Sequence, residues 1–100
     1  MKKPIHLQAY KALSFLEKTK GLLDKKRSII YFETRFGIHT FGMKSTVVVV
    51  ILNNANEITE VKKVNPNCIF FWNPKYYKII EMYSDIASKY TLIKGTKILL

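Results

Sequence analysis

One hundred residues, 48% hydrophobic and 24% charged, suit a single folded domain spanning 1–100 and leave no room for a second core or a long disordered tail. Seventeen Lys and Arg against seven Asp and Glu give a net charge of +10, which favours encounter with polyanions but by itself argues only solubility. The single cysteine, Cys68, rules out an internal disulfide, and the longest aliphatic run, Val47 to Leu52, is far below the roughly 20 residues that span a bilayer. Met1 to Gln8 carries charge without an apolar stretch of signal-peptide length. A cytoplasmic protein without a transmembrane segment is expected.

In chain order, Gln8 to Lys20 predicts a helix, with Ala9, Leu13 and Leu16 at intervals of four and three and Gly21 placed to end it. From Ser28 the texture becomes that of strands. Ser28 to Glu33 is short and rich in β-formers, Arg35-Phe36-Gly37 reads as a turn, and Ile38 to Lys44 resumes an extended pattern. Val47 to Leu52 has no polar face, so it belongs at the centre of a sheet covered on both sides. Asn53 to Asn56 closes a hairpin to Ile58–Val64, which Pro66 ends. Strands are expected over Ile69–Trp72 and Tyr76–Met82, a short helix near Asp85–Lys89, and a closing strand over Thr96–Leu100. The predicted fold is mostly β, a sandwich or barrel-like arrangement with an N-terminal helix and a short C-terminal helix.

Several of these segments carry a resemblance. Ala9, Phe15-Leu16-Glu17-Lys18 and Gly21-Leu22-Leu23 resemble the opening of the family called domain of unknown function 192. Ile38-His39-Thr40-Phe41-Gly42-Met43-Lys44 is similar to that family's central motif, Ile79-Ile80-Glu81-Met82 to its Val-Leu-Glu-Leu, and Ile93 to Ile98 to its closing Val-Gly-Asp segment. The ordered set spans nearly the whole chain. Where the family has Pro, an apolar residue and Asp after its Met-basic pair, this chain has Thr46, Val47 and Val48, so the central carboxylate is missing. Tyr83-Ser84-Asp85 and Gly95-Thr96 are further departures. The resemblance implies a small β-rich fold and no particular activity.

Period-two geometry puts His39, Phe41 and Met43 on one face of an extended strand, with Thr40, Gly42 and Lys44 on the other. Phe41 and Met43 would seek the core and bring His39 to a pocket mouth, where an imidazole can hold a ligand or move protons. The ordinary alternative is a half-buried imidazole satisfied by a backbone carbonyl. Lys44 can hold an anion or simply keep an edge soluble, Thr40 is a β-former or a ligand contact, and Gly42 opens a cavity or admits a neighbouring backbone. Glu81, beside Tyr77 and Ile79, is read as a buried ion-pair partner for Lys44 or Arg35, or as an acid. His39, Thr40, Lys44 and Glu81 thus form the candidate ligand site.

A second set comes from Phe70 to Tyr77, where five aromatics flank Lys75. Trp72 and Lys75, with Lys62 and Lys63, would stack on bases and meet phosphates; the plainer reading is two core strands joined by an Asn-Pro turn. His6, His39 and Cys68 have no metal-ligand spacing, no nucleotide or nucleophile motif occurs, and nothing calls for a cofactor. Three functions are weighed. The first is a noncatalytic binding module with a pocket near His39. The second is a basic nucleic-acid-associated protein, and the third is an acid/base enzyme using His39 and Glu81.

Overall fold

The computed structural model describes residues 3–11 and 29–100. These form β1 (Ile5–His6), β2 (Tyr10–Lys11), β3 (Ile29–Glu33), β4 (Ile38–His39), β5 (Val47–Leu52), β6 (Ile58–Val64), β7 (Ile69–Phe70), β8 (Lys78–Tyr83), the helical turn α1 (Ser84–Ala87) and β9 (Ile98–Leu99). The main sheet has the order β2-β3-β8-β5-β6. It is antiparallel from β3 to β6, with β2 added in parallel. Two short ribbons lie outside it, β4 with β7 and β1 with β9.

The all-aliphatic run explains this arrangement. Successive side chains of a strand point to opposite faces, so a strand with no polar residue needs cover on both. All six residues of β5 are buried. Val47, Val49 and Ile51 join one apolar cluster with Ile30, Phe32 and Ile79, while Val48, Val50 and Leu52 join another with Ile80, Met82 and Ile58. The first cluster is closed by Ile38, Met43 and Trp72 from the β4–β7 ribbon and its flanks. The second is closed by Leu7, Ala87 and Ile98.

The closing segment is fastened by backbone bonds. The Ile58 amide donates to Thr96 at 2.9 Å, the Gly95 amide to Ile58 at 2.8 Å and the Ile98 amide to Asn56 at 2.8 Å. β9 then pairs with β1, which leads into β2 at the opposite edge of the sheet. Tyr83 bridges sheet and ribbon, its hydroxyl lying 3.6 Å from the Met43 sulfur.

The central strand, the Asn53–Asn56 hairpin, the bend at Arg35–Phe36 and the end of β6 before Pro66 all lie where the pattern put them. Six expectations need correction. The helix over 8–20 falls mostly outside the described residues. Within them, Tyr10 and Lys11 pair with Ile30 and Tyr31 instead, a tertiary pairing that outweighs a weak local preference. The extended stretch 38–44 ends at His39, because Phe41 and Gly42 turn the chain and Gly42 sits at φ +81°. The strand expected through Trp72 stops at Phe70, and β8 begins at Lys78 rather than Tyr76. There the Trp72 indole N–H donates to the Tyr76 carbonyl at 2.9 Å and folds the intervening Asn-Pro loop back. The closing strand is likewise shorter, Ile98–Leu99, and the helical turn starts one residue early, at Ser84.

Removing a buried branched side chain from this sheet leaves a cavity with no outlet. Ile80→Ala is expected to lower unfolding free energy by about 2–5 kcal/mol, and Val61→Ala, on the exposed stretch of the edge strand, by less than about 0.5 kcal/mol, as read from urea denaturation. A similar loss at both positions would contradict the assignment of a two-sided core.

Burial holds the Tyr31 phenol well above its ordinary range, helped by its 2.6 Å hydrogen bond to the Glu33 carboxylate, and burial raises Tyr83 as well. The unfolded chain releases these protons near pH 10, while the folded protein keeps them. Stability therefore falls as pH climbs past about 10. Tyr31→Phe should make that decline shallower in chemical denaturation between pH of about 9 and about 11.

Candidate functional site

Among the described residues, the β4–β7 ribbon presents a surface rich in exposed aromatic rings. Its inner face is set by Ile38, which is buried, and alternation then turns the next residue, His39, outward. On the partner strand Ile69 is exposed and Phe70 packs inward. Two residues on, Trp72 is again inside, so Phe71 between them must face solvent. Phe36 protrudes from the preceding bend and Phe41 from the following turn. Together Phe36, Gly37, Ile38, His39, Phe41, Ile69 and Phe71 line a shallow dish of about 210 Å³.

The dish is held from beneath by Thr40. This residue is buried, its hydroxyl donates to the Asn65 carbonyl at 2.6 Å, and it accepts from the Cys68 amide at 3.0 Å. Its backbone adds bonds to Cys68, Asn67 and Met43. Thr40 is therefore a fastening between the ribbon and the 65–68 loop, with no hydrogen-bonding function turned to solvent.

Above it, the Phe41 amide donates to His39 Nδ1 at 3.3 Å, and the two rings stack with centroids 4.6 Å apart at 22°. Gly37 forms part of the floor. Its φ of +86° suits glycine, and a Cβ there would lie 2.6 Å from the Phe71 ring and 2.8 Å from the Phe70 carbonyl. Gly42 neither opens a cavity nor admits a backbone: a Cβ would meet open space, and the residue is needed for its positive φ alone.

The four residues expected to share a site are divided by the ribbon. His39 lines the dish, and Lys44 is exposed just beyond the turn. Glu81 instead lies at the centre of the sheet, fully buried, opposite Ile30 on β3 and Val49 on β5. No buried side-chain oxygen or nitrogen among the described residues lacks a hydrogen-bond partner, so its carboxyl group is satisfied inside the fold. Arg35, a suggested partner, is engaged elsewhere. Its guanidinium donates to the Pro74 carbonyl at 2.6 Å and lies 4.7 Å from the centre of the Tyr77 ring. The dish has no carboxylate in its lining, and His39 and Glu81 share no cavity there.

In the second candidate set Trp72 is also corrected. It is buried with its N–H bonded, so it offers no face to a base. Lys62 and Lys63 are exposed on the edge strand β6, and Lys75 is exposed beside the Tyr76 ring. Of the exposed phenylalanine rings, Phe36 and Phe41 were absent from both expected sets, and Phe71 entered only within the Phe70 to Tyr77 segment. Alternation between Phe70 and Trp72 was a usable signal for Phe71. The outward turn at Phe41 depends on Gly42, whose positive φ broke the period.

Among the described residues no three His, Cys, Asp or Glu side chains gather as metal ligands, and no helix is long and apolar enough to cross a membrane. Comparison with family models, curated protein sequences and solved structures finds no match to this chain.

The hydroxyl of Thr40 is expected to be worth more than its volume. Thr40→Val keeps the shape but leaves the Asn65 carbonyl and Cys68 amide without that partner. A loss of about 1–3 kcal/mol in unfolding free energy should follow, with faster amide exchange at Cys68. Unchanged exchange there would show that the ribbon does not hang on this residue.

Proposed function

We propose that the protein is a noncatalytic binding module whose contact surface is the aromatic dish around His39. One observation carries this reading: Phe36, Phe41, Ile69 and Phe71 are 86%, 49%, 57% and 69% exposed, and all border one depression. Scattered apolar side chains on a surface are ordinary, but a contiguous cluster marks a contact site. At about 210 Å³ the dish is smaller than the roughly 300–1,000 Å³ of an enclosed ligand pocket. It suits one flat or apolar group of a larger ligand, with Lys44 placed to hold an anionic neighbour.

The ordered sequence motifs are what supports kinship with domain of unknown function 192, and the two-sided covering of the sheet supports a sandwich- or barrel-like fold. An exposed, unpaired Cys68 suits a reducing, cytoplasmic setting.

The dye 1-anilinonaphthalene-8-sulfonate, an aromatic anion, provides a direct test. The folded protein should enhance its fluorescence, and the double variant Phe36→Ala/Phe71→Ala should lose most of that gain while keeping the same unfolding midpoint. An undiminished signal in the double variant would show that the dish is not the contact surface. Equal dye affinity in His39→Ala and Lys44→Ala would remove those two residues from it.

A further inference from the structure

We infer that the dish is a stacking platform for the unpaired bases of single-stranded nucleic acid, a conclusion that rests on the binding-module reading and names its ligand. Two independent observations converge on it. The first is the presence of three phenylalanine rings, at least half of each of two in solvent, beside an imidazole already stacked on one of them. Flat exposed rings offer the same contact to any base, because every base has a π face.

The second is the distribution of charge. The chain segments 34–56 and 61–80, which contain the ribbon and the loops beside it, hold no Asp or Glu. They do hold Arg35, Lys44, Lys62, Lys63, Lys75 and Lys78. Lys78 is tied to Asn54 and Asn56, Arg35 is held by the Pro74 carbonyl and the Tyr77 ring, and Lys63 pairs with Val48 on the sheet face away from the ribbon, which leaves Lys44 and Lys75 as exposed cations close in sequence to Phe41 and Phe71. Rings that bind bases and cations that meet phosphates are the two components of a single-strand groove.

The same distribution argues against another occupant of an apolar surface. A second copy docking here through a two-fold contact would bring the Lys44 side chains of both copies to dishes whose lining offers no carboxylate. Duplex DNA keeps its bases stacked and offers the rings nothing.

The test is fluorescence anisotropy of the full chain with labelled oligo(dT) and oligo(U) of about 12 nucleotides, a length within the usual single-strand footprint. Salt is varied from about 50 to about 200 mM. The matching duplex and vesicles of mixed phosphatidylserine and phosphatidylcholine form the comparison arms. Single strands should bind more tightly than duplex, with affinity falling as salt rises. Phe36→Ala, Phe41→Ala and Phe71→Ala should each weaken binding roughly tenfold with the salt slope unchanged. Lys44→Ala/Lys75→Ala should instead flatten the slope.

Equal or tighter duplex binding, no single-strand binding at about 50 mM salt, or ring variants of unchanged affinity would each overturn the inference. So would capture by vesicles without binding of the oligonucleotides. If oligonucleotides fail while the naphthalene dye still binds the dish, the nucleic-acid assignment falls and the binding module stands. If the dye fails too, both fall.

Discussion

A six-residue strand with no polar side chain cannot have a wet face. β5 meets that constraint by lying between β8 and β6 with an apolar cluster on each side, and the rest of the chain is disposed around this need. β8 follows the same logic, with Ile79 on one face and Ile80 and Met82 on the other. The small elements act as covers. β1, β9 and α1 close one side, while the β4–β7 ribbon with Met43 and Trp72 closes the other. None of these covers is a regular element of any length, yet each buries apolar area that β5 would otherwise leave in water.

The ribbon's role as a cover also produces the surface. A two-stranded ribbon has two faces, and using one for Ile38 and Phe70 leaves the other to His39 and Ile69. The turn at Phe41–Gly42 and the bend at Phe36 then add rings to the outward face. Thr40 and the contact between Tyr83 and Met43 fasten the ribbon to the loop and sheet below. A scaffold requirement therefore determines where the exposed rings stand.

Much of the sheet was readable from residue pattern because its signals are strong and local. An unbroken aliphatic run, an Asn-rich hairpin and a proline-ended strand each have one physical interpretation. The dish was less readable. Period two assigned Phe41 to the core alongside Met43, but a glycine at positive φ reversed the chain between them. Of the two readings of Trp72, a stacking ring or a core-strand residue, the buried one holds, with its indole N–H on a backbone carbonyl four residues away. Glu81 appeared as a site residue, and only the register between Ile30 and Val49 revealed how deeply it lies. Local pattern says which residues alternate. It does not say where a turn resets the alternation.

The division between the two faces of the ribbon has an evolutionary consequence. Phe36, Phe41, Ile69 and Phe71 lie outside both apolar clusters, so their replacement removes little of what holds the molecule together. Inner residues such as Ile38 and Met43 have no such freedom. Selection can thus exchange the outward side chains, and with them the ligand recognised, while the scaffold underneath stays the same.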